Sequence, residues 1–215
     1  MIVRSLSDYW KLGGEVKKSV VLVWIALISA TPTVVHACPD AEYEKHLKAL
    51  RALTSAVIAE KPEQAALAGF FQALPPDFSC FNRLFGYADG PAPLYSEPQL
   101  HFLFPKIASV VPQQDYAKKL VGLSVNARWE ADQTGALQDA ARSVLDTNTR
   151  LFVKVLGDLS ADSEGSVWSF LFGGPHPSNE PLSPTVQSRV CEASARSCKQ
   201  SKQIYARAVS NEHNH

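Results

Sequence analysis

The stretch Asp40 to Glu60, DAEYEKHLKALRALTSAVIAE, sets its apolar residues three and four apart: Tyr43, Leu47, Leu50, Leu53, Val57 and Ile58. That spacing predicts an amphipathic helix. Asp40, Glu42 and Glu44 place acids in its first turn, where the helix dipole favours them, and the residue before Pro62 ends it. PEQAALAGFFQAL predicts a second helix, begun by Pro62 and stopped by Pro75-Pro76. Residues 75–98, PPDFSCFNRLFGYADGPAPLYSEP, mix Pro and Gly with Phe78, Phe81, Phe85, Tyr87 and Tyr95. They read as an ordered loop with room for a short helical turn in FSCFNRLFGY.

PQLHFLFPKIASVV predicts a helix starting near Pro98 and kinked or broken near Pro105. From Gln114 to Leu159 three apolar faces follow: Tyr116, Leu120, Leu123 and Ala127; Leu137, Ala141, Val144 and Leu145; Leu151, Phe152, Val155 and Leu156. These give two or three helices, with breaks expected near Gly135 and Asn148. DSEGSVWSFLFGG predicts a short buried helix closed by Gly173-Gly174. Ser183 and Pro184 have the chemistry of an N-cap and a first helical residue for the last segment, SPTVQSRVCEASARSCKQSKQIYARAV. No segment alternates convincingly with period two. RLFVKVL could be a strand by itself, but its neighbours favour helix. The expected class is all-α: one compact bundle of about six or seven helices over residues 38–215.

Residues 1–37 have a different pattern. Lys17 and Lys18 precede an apolar run from Val20 to Ala30, Thr31-Pro32 break it, and Val35-His36-Ala37 closes it. That is the order of a secretory signal peptide. The run falls short of the roughly 20 apolar residues that a membrane span needs. The first fifteen residues, with Asp8 and Glu15 ahead of the lysines, make an unusually long lead, so translation is expected to start at Val16. Export puts the domain in the periplasm. The alternative is a lipoprotein anchored through Cys38: Ala37 suits a lipid-attachment motif, His36 does not, and lipidation would leave an odd cysteine.

The whole chain carries 21 basic and 21 acidic side chains. Arg4, Lys11, Lys17 and Lys18 against Asp8 and Glu15 lie before Cys38, which leaves residues 38–215 at net −2. A near-neutral chain has no electrostatic footprint for nucleic acid and no basic stripe for a membrane surface. All four cysteines, Cys38, Cys80, Cys191 and Cys198, lie beyond the signal, and an even count in an exported chain predicts two disulfides. If Cys191 and Cys198 share one helix, seven residues separate them by roughly 10 Å, beyond the about 7 Å that a disulfide tolerates. Each should then reach back, one to Cys38 and one to Cys80, in either of two arrangements.

Catalytic chemistry is not announced. His46, His101, His176, His213 and His215 show no paired ligand spacing, and no metal site or cofactor is expected. Glu130 and Asp132, two apart, would not share a helix face; Glu130 facing solvent beside a buried Trp129 is the simpler account. There is no Gly-x-Ser-x-Gly elbow and no glycine-rich phosphate loop before a helix. Disulfide-bonded cysteines are not nucleophiles, so an enzyme is not expected. The aromatic loop is the better candidate. Phe85, Tyr87 and Tyr95 are of the types that anchor interfaces, on a segment stiffened by Pro91 and Pro93. His176, clamped between prolines in GGPHPS, is a fourth candidate contact.

The export signal VKKSVVLVWIALISATPTVVHA, the helical pattern, the cysteines in VCEASARSC and the segment VWSFLFGGPHPSNE give the chain a general resemblance to periplasmic immunity proteins that bacteria keep against type VI secretion effectors. The resemblance implies a binding protein that occludes the active site of a toxic effector. The alternative is a periplasmic hydrolase or small-ligand carrier with a site around His176, lined also by His101 and Glu130.

Intact mass and N-terminal peptide mapping of protein secreted in its native host test the export reading. The expected mature chain begins at unlipidated Cys38, and the expected precursor at Val16. A lipid on Cys38, or a precursor peptide from before Val16, contradicts it.

Overall fold

The computed structural model describes residues 38–87, 90–130, 133–174 and 181–212. Residues 1–37, where an export signal is expected, and Asp132, His176, His213 and His215 lie outside the described residues. Ten helices occur among those described, and no strand. The all-α class stands, while the helix number exceeds the six or seven expected.

The excess comes from local caps that divide long apolar patterns. α1 (Asp40–Val57) and α2 (Gln64–Ala73) lie close to expectation. The aromatic stretch folds into a full helix, α3 (Phe78–Phe85), because the Asp77 side chain accepts from Cys80 N at 2.9 Å and caps its start. α4 (Leu100–Ala108) is continuous through Pro105 rather than broken there, and α5 (Gln113–Ser124) begins behind Pro112. α6 (Gln133–Thr147) contains Gly135, so the expected break falls instead in the non-helical residues before it. Asn148 separates α6 from α7 (Thr149–Gly157), its side chain accepting from Leu151 N at 3.3 Å. Ser160 caps α8 (Ala161–Leu171). Ser183 caps α9 (Pro184–Ala193), with Pro184 in the first turn as expected. α10 (Ala195–Glu212) completes the chain.

α6 is the central element. Nine of its fifteen residues are buried, and it packs on α3, α4, α5, α7 and α8. α1 lies on α2, α7 on α9, and α10 on both α8 and α9. The core is aromatic: Phe70, Phe81, Phe85, Phe104, Phe152, Trp168 and Phe172 are almost wholly out of solvent. Full burial of each such ring stabilises by up to about 3 kcal/mol, which makes this cluster the main source of cohesion.

The disulfides differ from expectation. Cys38 bonds Cys80 and Cys191 bonds Cys198, with Cα separations of 4.7 and 4.4 Å. The assumption that failed is a single helix through both late cysteines. Ser194 leaves the helical region at φ −157° and ψ 120°, and its hydroxyl accepts from Ser197 N at 3.2 Å to start α10. One extended residue re-aims the chain and brings the two sulfurs together. The N-terminal cysteine is therefore tethered to α3 and not to the late helices. Ser79 accepts from Cys38 N at 3.0 Å, and Arg83 donates to Cys38 O at 3.1 Å. Arg83 also pairs with Asp40 at 2.7 Å and lies over the Tyr43 ring at 4.0 Å.

The two bridges should differ in value because they close loops of 42 and 7 residues. By the chain-entropy relation, replacing Cys38 and Cys80 together by Ser costs about 4 kcal/mol, and replacing Cys191 and Cys198 costs about 2 kcal/mol. Urea unfolding of the two double variants checks this order; a reversed order contradicts it.

Candidate binding surface

Between α3 and α4 the structure describes residues 86–87 and 90–99, and the way they are held has a traceable cause. Gly86 follows α3 where the Asn82 side chain folds close: a Cβ at Gly86 would stand 1.8 Å from Asn82 Oδ1 and 2.6 Å from the Asn82 carbonyl oxygen. Only glycine fits there. The chain then doubles back on the helix end, with Ala92 N donating to Gly86 O at 3.0 Å and Leu94 N to Leu84 O at 2.9 Å. Leu94 is buried beneath the loop.

The far end is held by Gln133, the first residue of α6, itself buried. Its Nε2 donates to Tyr95 O at 2.8 Å and Pro98 O at 3.1 Å, and its Oε1 accepts from Leu100 N at 2.9 Å. A single amide thus serves two loop carbonyls and a first-turn N–H of α4 that the helix cannot pair internally. Glu97–Pro98 is a cis peptide.

This framework sorts the sequence candidates. Phe85 is wholly buried, its ring 4.9 Å from that of Phe81, so it belongs to the core and is not an interface residue. Tyr87 is 56% exposed, and its ring lies 5.1 Å from that of half-buried Tyr95. Tyr87 N donates to Glu130 Oε2 at 3.5 Å, which brings the segment carrying Trp129 alongside. Trp129 is 37% exposed instead of buried, and packs against Gly173, whose added Cβ would meet it at 3.2 Å. His176 lies outside the described residues.

Two exposed residues escaped the sequence reading. Phe102 is 64% exposed and Ile58 50% exposed. Both border a depression of about 200 Å³ that also includes Pro98 and Leu103. Phe102 was legible in principle: Leu100, Leu103, Phe104 and Ile107 form the buried i, i+3, i+4, i+7 face of α4, and Phe102 falls off it. Ile58 continues the apolar spacing of α1 in the sequence, but that helix ends at Val57.

A second concavity, of about 310 Å³, lies between α4 and α6. Phe104, Tyr116, Ala136, Ala140, Val144 and Leu151 provide its apolar lining. At its rim His101 Nδ1 stands 3.5 Å from Asp139 Oδ2. The Tyr116 hydroxyl donates to Phe104 O at 3.1 Å, and burial pushes this phenol well above its usual range. Glu130 is not part of this cavity, so the expected grouping of His101 with Glu130 is not formed. Among the described residues there are no free cysteines and no cluster of three side chains arranged to hold a metal ion. No helix among them is long and apolar enough to cross a membrane.

Neither family models, nor curated proteins, nor solved structures provide a match to this chain.

Proposed function

We propose that residues 38–215 are an exported binding protein whose partner is another protein, and that the partner is a toxic effector neutralised in the periplasm. The observation that carries this reading is the exposed apolar set around one fastened loop. Tyr87 and Trp129 stand at one end of the 86–99 segment, Ile58 and Phe102 at the other. Isolated exposed hydrophobics are ordinary, and the grouping of several about one held segment is what supports an interaction surface. Aromatic anchors contribute disproportionately at interfaces, and a loop already held by Gln133 loses little entropy when it docks. Two disulfides among the described residues fit an oxidising compartment. The hydrolase or carrier reading around His176 has less support, since His101 and Glu130 do not share a cavity.

The gene should be co-expressed in the periplasm with its chromosomal neighbour. Rescue of growth from a toxic neighbour, together with direct binding of the purified pair, is the expected result. Tyr87→Ala and Phe102→Ala should each weaken that binding roughly tenfold or more while leaving the unfolding free energy within about 0.5 kcal/mol. Phe85→Ala, by contrast, should cost about 3–5 kcal/mol of stability. A neighbour that is harmless and does not bind, or tight binding that ignores both surface substitutions, contradicts the proposal.

A further inference from the structure

The cavity between α4 and α6 has properties that the protein-binding surface does not use. At about 310 Å³ it stands at the small end of ligand pockets, roughly the space of ten waters, which suits a compact molecule and excludes a nucleotide or a lipid. Its depth comes from small buried side chains on α6, Ala136 and Ala140, while Ala108 of α4 stands exposed at the rim. Its floor is apolar and partly aromatic, with Phe104 and Tyr116 buried beneath it.

The lining includes the polar side chains of Gln113, Ser143, Thr147 and Asn148, but its fixed charge is of one sign. Among the described residues, Asp139 is the only carboxylate that borders the cavity, and no lysine or arginine borders it. Arg142, one turn further along the same face of α6, borders the neighbouring concavity with both Asp139 and Asp146 and feels both carboxylates, so one guanidinium is shared between two acids. His101 faces Asp139 across 3.5 Å and is largely exposed. Pro105, also at the rim, carries no N–H, which leaves the His101 carbonyl without its ordinary helical donor. A carboxylate that shares its one guanidinium with a second acid, at the rim of an apolar floor, matches a ligand that brings hydrogen-bond donors and positive charge on a short apolar body.

We propose that this cavity binds a small organic cation, an aryl-alkyl or short alkyl amine, with its ammonium group at Asp139 and its apolar part over Phe104 and Tyr116. The inference goes beyond the protein-binding role and does not depend on it.

Three probes of matched shape test it on the purified, disulfide-intact protein: 2-phenylethylamine, 2-phenylethanol and 3-phenylpropionate, followed by methyl NMR. The amine should bind saturably and shift the Ala136, Ala140 and Leu151 methyls. It should bind up to roughly fivefold tighter than the alcohol, as an exposed charge contact allows, with the carboxylate weakest. Asp139→Asn should reduce the amine to the level of the alcohol, and Ala108→Leu, at an exposed rim position, should weaken all three. Both sites are exposed, so both variants should fold. Equal binding of amine and alcohol, an amine preference that survives Asp139→Asn, shifts mapping elsewhere, or no saturable shift overturns the proposal.

Discussion

The Glu164 carboxylate has no solvent exposure, and much of the C-terminal half is arranged around that fact. An unpartnered carboxylate in the interior costs several kcal/mol, so its neighbours are constrained to serve it. Arg196 Nε approaches Oε2 at 2.5 Å, Ser197 Oγ donates to Oε1 at 2.5 Å, and Trp168 Nε1 donates to the same oxygen at 3.3 Å. The guanidinium does not stop there. Its Nη2 donates to the carbonyls of Leu156 and Gly157 in the last turn of α7 and of Leu159 just beyond it. A cation at a helix C-terminus also suits the dipole. One ion pair therefore fixes α10 against both α8 and α7. Such a pair is a weak source of net stability but an effective source of geometric uniqueness.

The same device recurs across the molecule. Gln138 sends Nε2 to Phe170 O at 2.5 Å and Gly173 O at 2.8 Å, closing the end of α8. His46 and Lys119 meet Ala73 O and Leu74 O, each at 2.8 Å, closing α2. Burial depresses the affinity of Lys119 for its proton, and the carbonyl it serves is part of what keeps it there. Gln133 does the corresponding work for the 86–99 loop. A bundle of short helices has many ends, and each end leaves carbonyls or N–H groups to be satisfied. Here side chains from distant helices satisfy them. The outcome is a bundle whose helix ends are tied to distant helices, and on it stand exposed Tyr87 and Phe102 and the α4–α6 cavity.

The helical class was legible because the 3.6-residue period survives in every long segment, and the Ser183-Pro184 and Asn148 boundaries were legible from capping chemistry. Ser194 was not. It breaks the last segment without a glycine or proline to announce it, and the disulfide arrangement follows entirely from that one residue. Phe85 and Tyr87 stand two apart in one aromatic stretch, yet only the structure separates core from surface, because the boundary of α3 falls between them. Glu164 resembled an ordinary first-turn acid in the sequence. Its meaning depends on Arg196 and Ser197, more than thirty residues away, and no local pattern carries that information.

The account stands most directly on the coupling between Glu164 and Arg196, which a double-mutant cycle by urea unfolding measures. Arg196→Met should cost about 3 kcal/mol by leaving the buried carboxylate without its cation. Glu164→Gln, which keeps an acceptor for Ser197 and Trp168 while removing the charge, should relieve more than about 1 kcal/mol of that loss when the two are combined. Additive effects within about 0.5 kcal/mol would show that the pair does not hold α10 in place, and would contradict the account.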